Sequence, residues 1–130
     1  MNNNQETQYS AQEVMETARY VQQIFRMQWP VVFSWGYSQP AAIQFRNMKA
    51  LRFHVNGFLH QGFVVVALNE GTDLFEVYML DEKWNVLPGE ETEVYFDTLV
   101  DTIDRMVETS SANSLQYQKQ VEAYMAATAE

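Results

Sequence analysis

From Leu51 the chain alternates: Leu51, Phe53 and Val55 are apolar, and Arg52, His54 and Asn56 between them are polar. A period of two sends successive side chains to opposite faces of a strand, so this segment reads as a strand with one wet face. Asn56-Gly57 follows, the pair best suited to a two-residue type I′ turn, which needs positive φ at both central positions. Phe58 to Leu68 reads as the returning strand, Asn69 to Asp73 as the next turn, Leu74 to Leu80 as a further strand, and Asp81 to Asn85 as another turn. Loops this short join antiparallel neighbours, because a parallel crossover needs a dozen residues or more. The block therefore commits the chain to an antiparallel meander of three to four strands.

Helical patterns flank it. Ser10 to Glu13 fits a capping box, in which the serine oxygen accepts an amide hydrogen bond and the glutamate reaches back to the serine N–H. Val14, Ala18, Val21 and Phe25 then recur at helical spacing. Trp29-Pro30 should end that helix, since a residue before proline is pushed out of the helical region. Val31 to Gly36 is β-branched and aromatic and predicts a short strand. Ser38 to Pro40 reads as a turn, and Ala41 to Met48 as either a short strand or an irregular connection. Pro88-Gly89 should close the sheet. From about Val94 or Asp97 a second helix begins, with Leu99, Val100, Ile103, Met106 and Val107 as its apolar stripe. Ser110 to Asn113 breaks it, and Tyr117, Val121, Tyr124 and Met125 predict a third, weaker helix. Helices grouped around an antiparallel meander indicate an α+β, two-layer fold. The expected organisation is a loose N-terminus over 1–9, one domain over 10–109, and a C-terminal tail over 110–130.

Composition narrows the chemistry. With 47% hydrophobic residues, including 8 Phe, 7 Tyr and 3 Trp among 130, the chain carries material for an aromatic-rich core. It has no cysteine, which excludes disulfides, thiolate metal sites and cysteine nucleophiles. No secretion signal opens the chain, and no apolar run is long enough for a bilayer-spanning helix, so a cytoplasmic protein is expected. The net charge of −9 is unevenly spread: residues 1–69 carry +2 and residues 70–130 carry −11. The acidic half repels phosphates, so direct nucleic-acid or membrane binding is not expected, whereas a basic protein partner is.

Four groups of residues are candidates for a site. His54 and His60 are the only histidines. A two-residue Asn56-Gly57 turn gives cross-strand partners of opposite parity and so sends the two rings to opposite faces, the expected arrangement. A three-residue loop with a bulge at Gly57 would place them on one face. Even then the nearest sequence carboxylates, Glu70 and Asp73, lie beyond the next turn, so neither metal nor cofactor is expected. The second group, Asp97, Asp101, Asp104 and Glu108, has a spacing of 4, 3 and 4 that forms one acidic helix face. That face is either solvated or a row of charge for a basic partner, with Asp97 itself a plausible N-cap. Glu90, Glu91 and Glu93 extend the acidity, and together they would suit an acidic mimic of a phosphate backbone. The third group is WPVVFSWGY (Trp29 to Tyr37), in which Phe33, Trp35 and Tyr37 fall on one face of the expected strand as a stacking platform or as core. The fourth, Arg46, Lys49 and Arg52, is a local basic group able to hold a phosphate or to meet the acidic helix of a second copy.

No nucleophile elbow, phosphate-cradling glycine loop, HExxH or dinucleotide fingerprint occurs, so an enzyme is not expected. Ser34 to Gly36, Met48 to Gly57, Gly62 to Val66, Thr72 to Phe75 and Leu99 to Asp104 together resemble small proteins of gut anaerobes of the Bacteroides type, some of them carried on mobile genetic elements. The resemblance spans roughly residues 29–108. It implies a bacterial cytoplasmic protein with an accessory role and brings no catalytic residues with it. The functional expectation is a small non-enzymatic interaction module acting through the acidic helix face or the aromatic strand. An acidic inhibitor of a nucleic-acid-binding protein and a small ligand-binding domain are the alternatives.

Overall fold

Ser10 opens the first helix as its spacing predicts. Its Oγ accepts from the Glu13 N–H at 3.1 Å, and Glu13 Oε1 accepts from the Ser10 N–H at 2.8 Å. These hydrogen bonds hold the Glu13 carboxyl below its ordinary range. The computed structural model describes residues 8–108, and within it α1 runs Ala11–Arg26 with Val14, Ala18, Val21, Ile24 and Phe25 buried along one stripe. Tyr9, expected to be loose, is tied to the sheet: its N–H donates to Gln44 Oε1 at 3.3 Å, and the Lys49 ammonium sits 5.2 Å from its ring centre.

The segment expected as a strand at Val31 to Gly36 is instead helix α2, Trp29–Ser34. Pro30 sits in its first turn, where a missing N–H costs nothing and φ is already helical. Gly36, at φ 73°, ends it in the left-handed region that glycine enters without penalty. The burial follows: Val32 and Trp35, three apart, go in, while Phe33 and Ser34 stay out. β-Branched and aromatic content favoured a strand, but proline and glycine at the two ends decided the outcome.

Five antiparallel strands follow in sequence order, β1 Ser38–Phe45, β2 Met48–Asn56, β3 Gln61–Asn69, β4 Leu74–Leu80 and β5 Glu91–Val94. The α+β class holds, with a sheet larger than the three or four strands expected. β1 begins at the residues expected to form a turn. It is an edge strand, where Pro40 removes no needed ladder bond, and its register shifts between Ser38 and Ala41. β5 takes in part of the acidic run Glu90 to Glu93, and Glu91 and Glu93 on this edge discourage pairing with another sheet. The turn with two positive φ values is Arg46-Asn47, at 51° and 65°, between the paired Phe45 and Met48. Asn56 and Gly57 do not adopt it. Asn56 pairs with Gln61, so β2 and β3 are joined by a loop of four residues, Gly57 to His60.

After β5, a 3₁₀ turn at Phe96–Thr98 leads into α3, Leu99–Val107. Thr98, not Asp97, occupies the N-cap position. One face of the sheet buries Leu51, Phe53, Val55, Val64, Val66 and Val77 against α1, α2 and α3. The opposite face has its own cluster, made of strand residues alone. No described helix is long and apolar enough to cross a membrane. The helix expected over Tyr117 to Met125 lies outside the described residues.

Candidate functional site

Two of the groups singled out in the sequence meet in space. Trp35 Nε1–H donates to Asp104 Oδ1 at 2.9 Å across 69 residues of chain, joining the end of α2 to the middle of α3. Trp35 is fully buried, stacked on Phe53 at 6.3 Å and edge-on to Phe25 at 5.8 Å. An indole in that position needs an acceptor for its N–H, and Asp104 supplies it. Of the two readings, core and stacking platform, Trp35 takes the first. Tyr37 is half-buried: its ring lies 4.9 Å from Phe53, and its hydroxyl accepts from Gln22 Nε2 at 3.0 Å. Burial raises its pKa.

The acidic stripe divides. Asp97 and Asp101 are exposed, while Asp104 and Glu108 are partly buried. Glu108 Oε1 accepts from the Phe58 N–H at 3.2 Å. Burial pushes both inner carboxyls above their ordinary values; the neighbouring acids Asp101 and Asp104 add to the effect, and the Trp35 and Phe58 donors oppose it. Helical spacing put all four on one side of the helix, but helix and loop neighbours enclose only the second half of it. An uninterrupted four-carboxylate row is thus not what the surface presents.

The two histidines part company for a reason that parity does not capture. His54 lies on β2, its Nε2 2.9 Å from Glu82 Oε2 and its ring edge-on to Phe63. Glu82 comes from the turn after β4, a partner invisible to sequence spacing. His60 lies in the loop, buried, with Nε2 2.9 Å from the Phe63 carbonyl oxygen. The loop serves as a cap for α3: the Leu59 and His60 N–H groups donate to the Val107 carbonyl at 2.7 and 3.2 Å, satisfying an end that a helix leaves open. Gly57 is needed there for close approach, because a Cβ would lie 2.6 Å from the Val107 oxygen. Among the described residues no group of three or more His, Asp or Glu side chains is placed to hold a metal ion.

The basic residues are divided between the faces of the sheet, Lys49 on the helix side beside Tyr9, and Arg46 and Arg52 over aromatic rings of the opposite face. Lys49 Nζ pairs with Glu70 at 2.6 Å, the Arg46 guanidinium lies 4.8 Å from the Tyr78 ring centre, and that of Arg52 lies 4.1 Å from the Trp84 ring centre. They form no common cradle for a phosphate.

The turn before α2 and the outer side of α2 expose large apolar side chains. Met27 is 79% exposed, Phe33 69% and Trp29 42%, within seven residues of chain. Trp29 stands edge-on to Tyr37 at 5.7 Å and 6.4 Å from Phe33, so the outer aromatics rest on the locked inner ones. A small cleft of about 110 Å³ runs beside them, lined by Gln22, Phe25, Arg26, Trp29 and Tyr37. The sequence signal for this arrangement was available in Pro30 and Gly36 as helix punctuation; read as helical, the spacing turns Phe33 away from Trp35. No protein-family model, curated protein or solved structure matches the chain.

Proposed function

We propose that the chain is a non-enzymatic, cytoplasmic protein-interaction module whose contact surface is the corner formed by α2 and α3. The observation that carries this reading is the outward set Met27, Trp29 and Phe33, apolar side chains held out to water by a short helix and the turn before it, with the inner side of that helix fixed in the core. Isolated exposed apolar residues are ordinary, but aromatic anchors on a rigid base are what binding hot spots are made of. Asp101 stands exposed on α3, which Trp35 and Asp104 tie to α2. An apolar anchor beside carboxylates suits a protein segment with an apolar side chain flanked by lysine or arginine. The acidic mimic is less favoured, because Asp104 and Glu108 are drawn inward and shorten the row of charge.

Affinity capture from the native host, with variants run in parallel, tests the reading. Phe33→Ser should lower retention of the captured partner by about tenfold or more, equivalent to ~1.4 kcal/mol. Asp101→Lys should weaken binding most at low salt. A partner held equally by wild type and both variants rejects this surface. A partner lost only on reversing acidic residues, with a steep salt dependence, points to the mimic instead.

A further inference from the structure

Between α1, the β3–β4 turn and the chain that leaves β5 lies a cleft of about 340 Å³, whose lining includes Tyr20, Leu68, Asp73, Phe75, Tyr95 and Phe96. Its size falls in the range of small-ligand sites, about 300–1,000 Å³. Asp73 supplies its one carboxylate, and among the described residues no lysine or arginine lines it. Tyr20 stacks on the buried Phe75 at 5.9 Å, while Tyr95 and Phe96 are each 59% exposed. The Tyr95 carbonyl accepts from the Thr98 N–H at 3.1 Å and from the Thr98 hydroxyl at 3.2 Å, which fixes the backbone there. The turn bearing Asp73 is fixed as well. Asn69 Oδ1 accepts from the Gly71 and Thr72 N–H groups at 2.9 and 3.3 Å, and the Asn69 carbonyl from the Asp73 N–H at 2.7 Å. A site held before its ligand arrives loses less on ordering.

Elsewhere the chain sets its own cations over its aromatic rings. Arg46 lies 4.8 Å from the Tyr78 ring centre, Arg52 4.1 Å from that of Trp84, and Lys49 5.2 Å from that of Tyr9. Among the described residues no cation lies over Tyr20, Tyr95 or Phe96, and neither Tyr95 nor Phe96 makes a ring contact. Asp73 likewise has no ion pair among the described residues, whereas Glu70 in the same turn is bound by Lys49. The face of an aromatic ring is partly negative and attracts a cation within about 6 Å of its centre. A primary ammonium or a guanidinium would bring N–H donors to rings and leucines that leave them unmatched, at a cost in desolvation. A quaternary ammonium has no such donors. We propose that this cleft binds a quaternary ammonium group, its methyls against Tyr20, Tyr95 and Phe96 and its charge opposed by Asp73. It shares no lining residue with the cleft at the α2–α3 corner, so failure of either reading leaves the other intact.

An NMR titration of the full chain tests this with choline and its neutral isostere, the alcohol in which carbon replaces the nitrogen. Choline should shift the amide signals of Asp73, Phe75, Tyr95 and Phe96 saturably. It should bind about three- to tenfold more tightly than the isostere, the gain expected from charge over aromatic faces. Tyr95→Leu combined with Phe96→Leu keeps apolar bulk at exposed positions and should remove most of that preference. Asp73→Asn should weaken choline by about two- to threefold and leave the isostere unchanged. Unaltered signals of Val21 and Ile24 on α1 check that each variant is folded. A blocked trimethyl-lysine and its neutral tert-butyl analogue form a second pair; whichever cation binds more tightly tells whether the group comes free or on a lysine side chain. The proposal is overturned if both isosteres bind as tightly as the cations, if the shifts fall away from the cleft, or if the variants keep the full preference.

Discussion

α2 and α3 each carry an inner and an outer version of the same chemistry, and the two versions have different uses. The inner pair is Trp35 and Asp104, an indole sealed in the core and the carboxylate that accepts its N–H at 2.9 Å. The outer residues are Phe33, 69% exposed, and Asp101, in the first turn of α3 and open to water. Trp35 and Phe33 are two residues apart, Asp104 and Asp101 three. In a helix, a shift of two residues moves a side chain to the other side, which separates Phe33 from Trp35, whereas a shift of three keeps one face, and Asp101 and Asp104 differ by what packs over them. Aromatic content or acidity alone therefore does not identify a binding surface. The direction of the side chain and what packs over it do.

That contrast is open to direct attack. Trp35→Ala should be the most damaging change, costing ~3–5 kcal/mol in chemical denaturation through a core cavity and loss of the Asp104 donor; a loss under 1 kcal/mol would show that the inner pair is not structural. Gly57→Ala comes next, at about 1–3 kcal/mol, because its Cβ meets the Val107 carbonyl and forces the loop from the end of α3. A normal melting temperature in that variant would mean that the cap can move aside freely.

Asp104→Asn separates charge from hydrogen bonding, since an amide oxygen can still accept from Trp35. Burial raises the folded-state pKa of Asp104 above 3.8 and that of Glu108 above 4.5, so the native state binds protons more tightly than the unfolded state there. The cost of their ionisation is fully present above the raised values and fades as pH falls toward 3.8 and 4.5. Asp104→Asn should accordingly melt higher than wild type at neutral pH, with the difference closing in acid. A difference that grows in acid would reverse the assignment. At the outer positions the effects on stability should be smallest: ~0.3–1 kcal/mol for Asp101→Lys, from the helix N-terminus, and within about 0.5 kcal/mol for Phe33→Ser. If either matches Trp35→Ala in a thermal melt, the division between inner and outer does not hold.

Much of the fold was legible because its signals are local. The Ser10 to Glu13 box, the alternation through Val55, the Asn69 to Asp73 turn and the α3 stripe each act within a few residues, and each appears close to where its pattern places it. The misreadings came where local cues competed. Val31 to Gly36 had the composition of a strand and the punctuation of a helix, and the punctuation prevailed. Asn56-Gly57 had the best hairpin composition, yet the positive-φ pair is Arg46-Asn47, because the α3 terminus draws the later loop into a wider shape. The candidate surface was half legible: Phe33, Trp29 and Asp101 were in view as residue types, but not the side each would take.

By itself the sequence determined the α+β class, both long helices, the antiparallel order of the central strands and the exclusion of thiol chemistry, since hydrophobic period, capping and composition act over short spans. Tertiary structure alone decided which carboxylates are buried, that Glu82 and not Glu70 or Asp73 partners His54, and that RFHVNGFLHQGF folds as strand plus helix cap. Those outcomes depend on contacts between residues 28 to 69 apart, and burial, which sets both their pKa values and their availability to a partner, exists only once distant segments have packed.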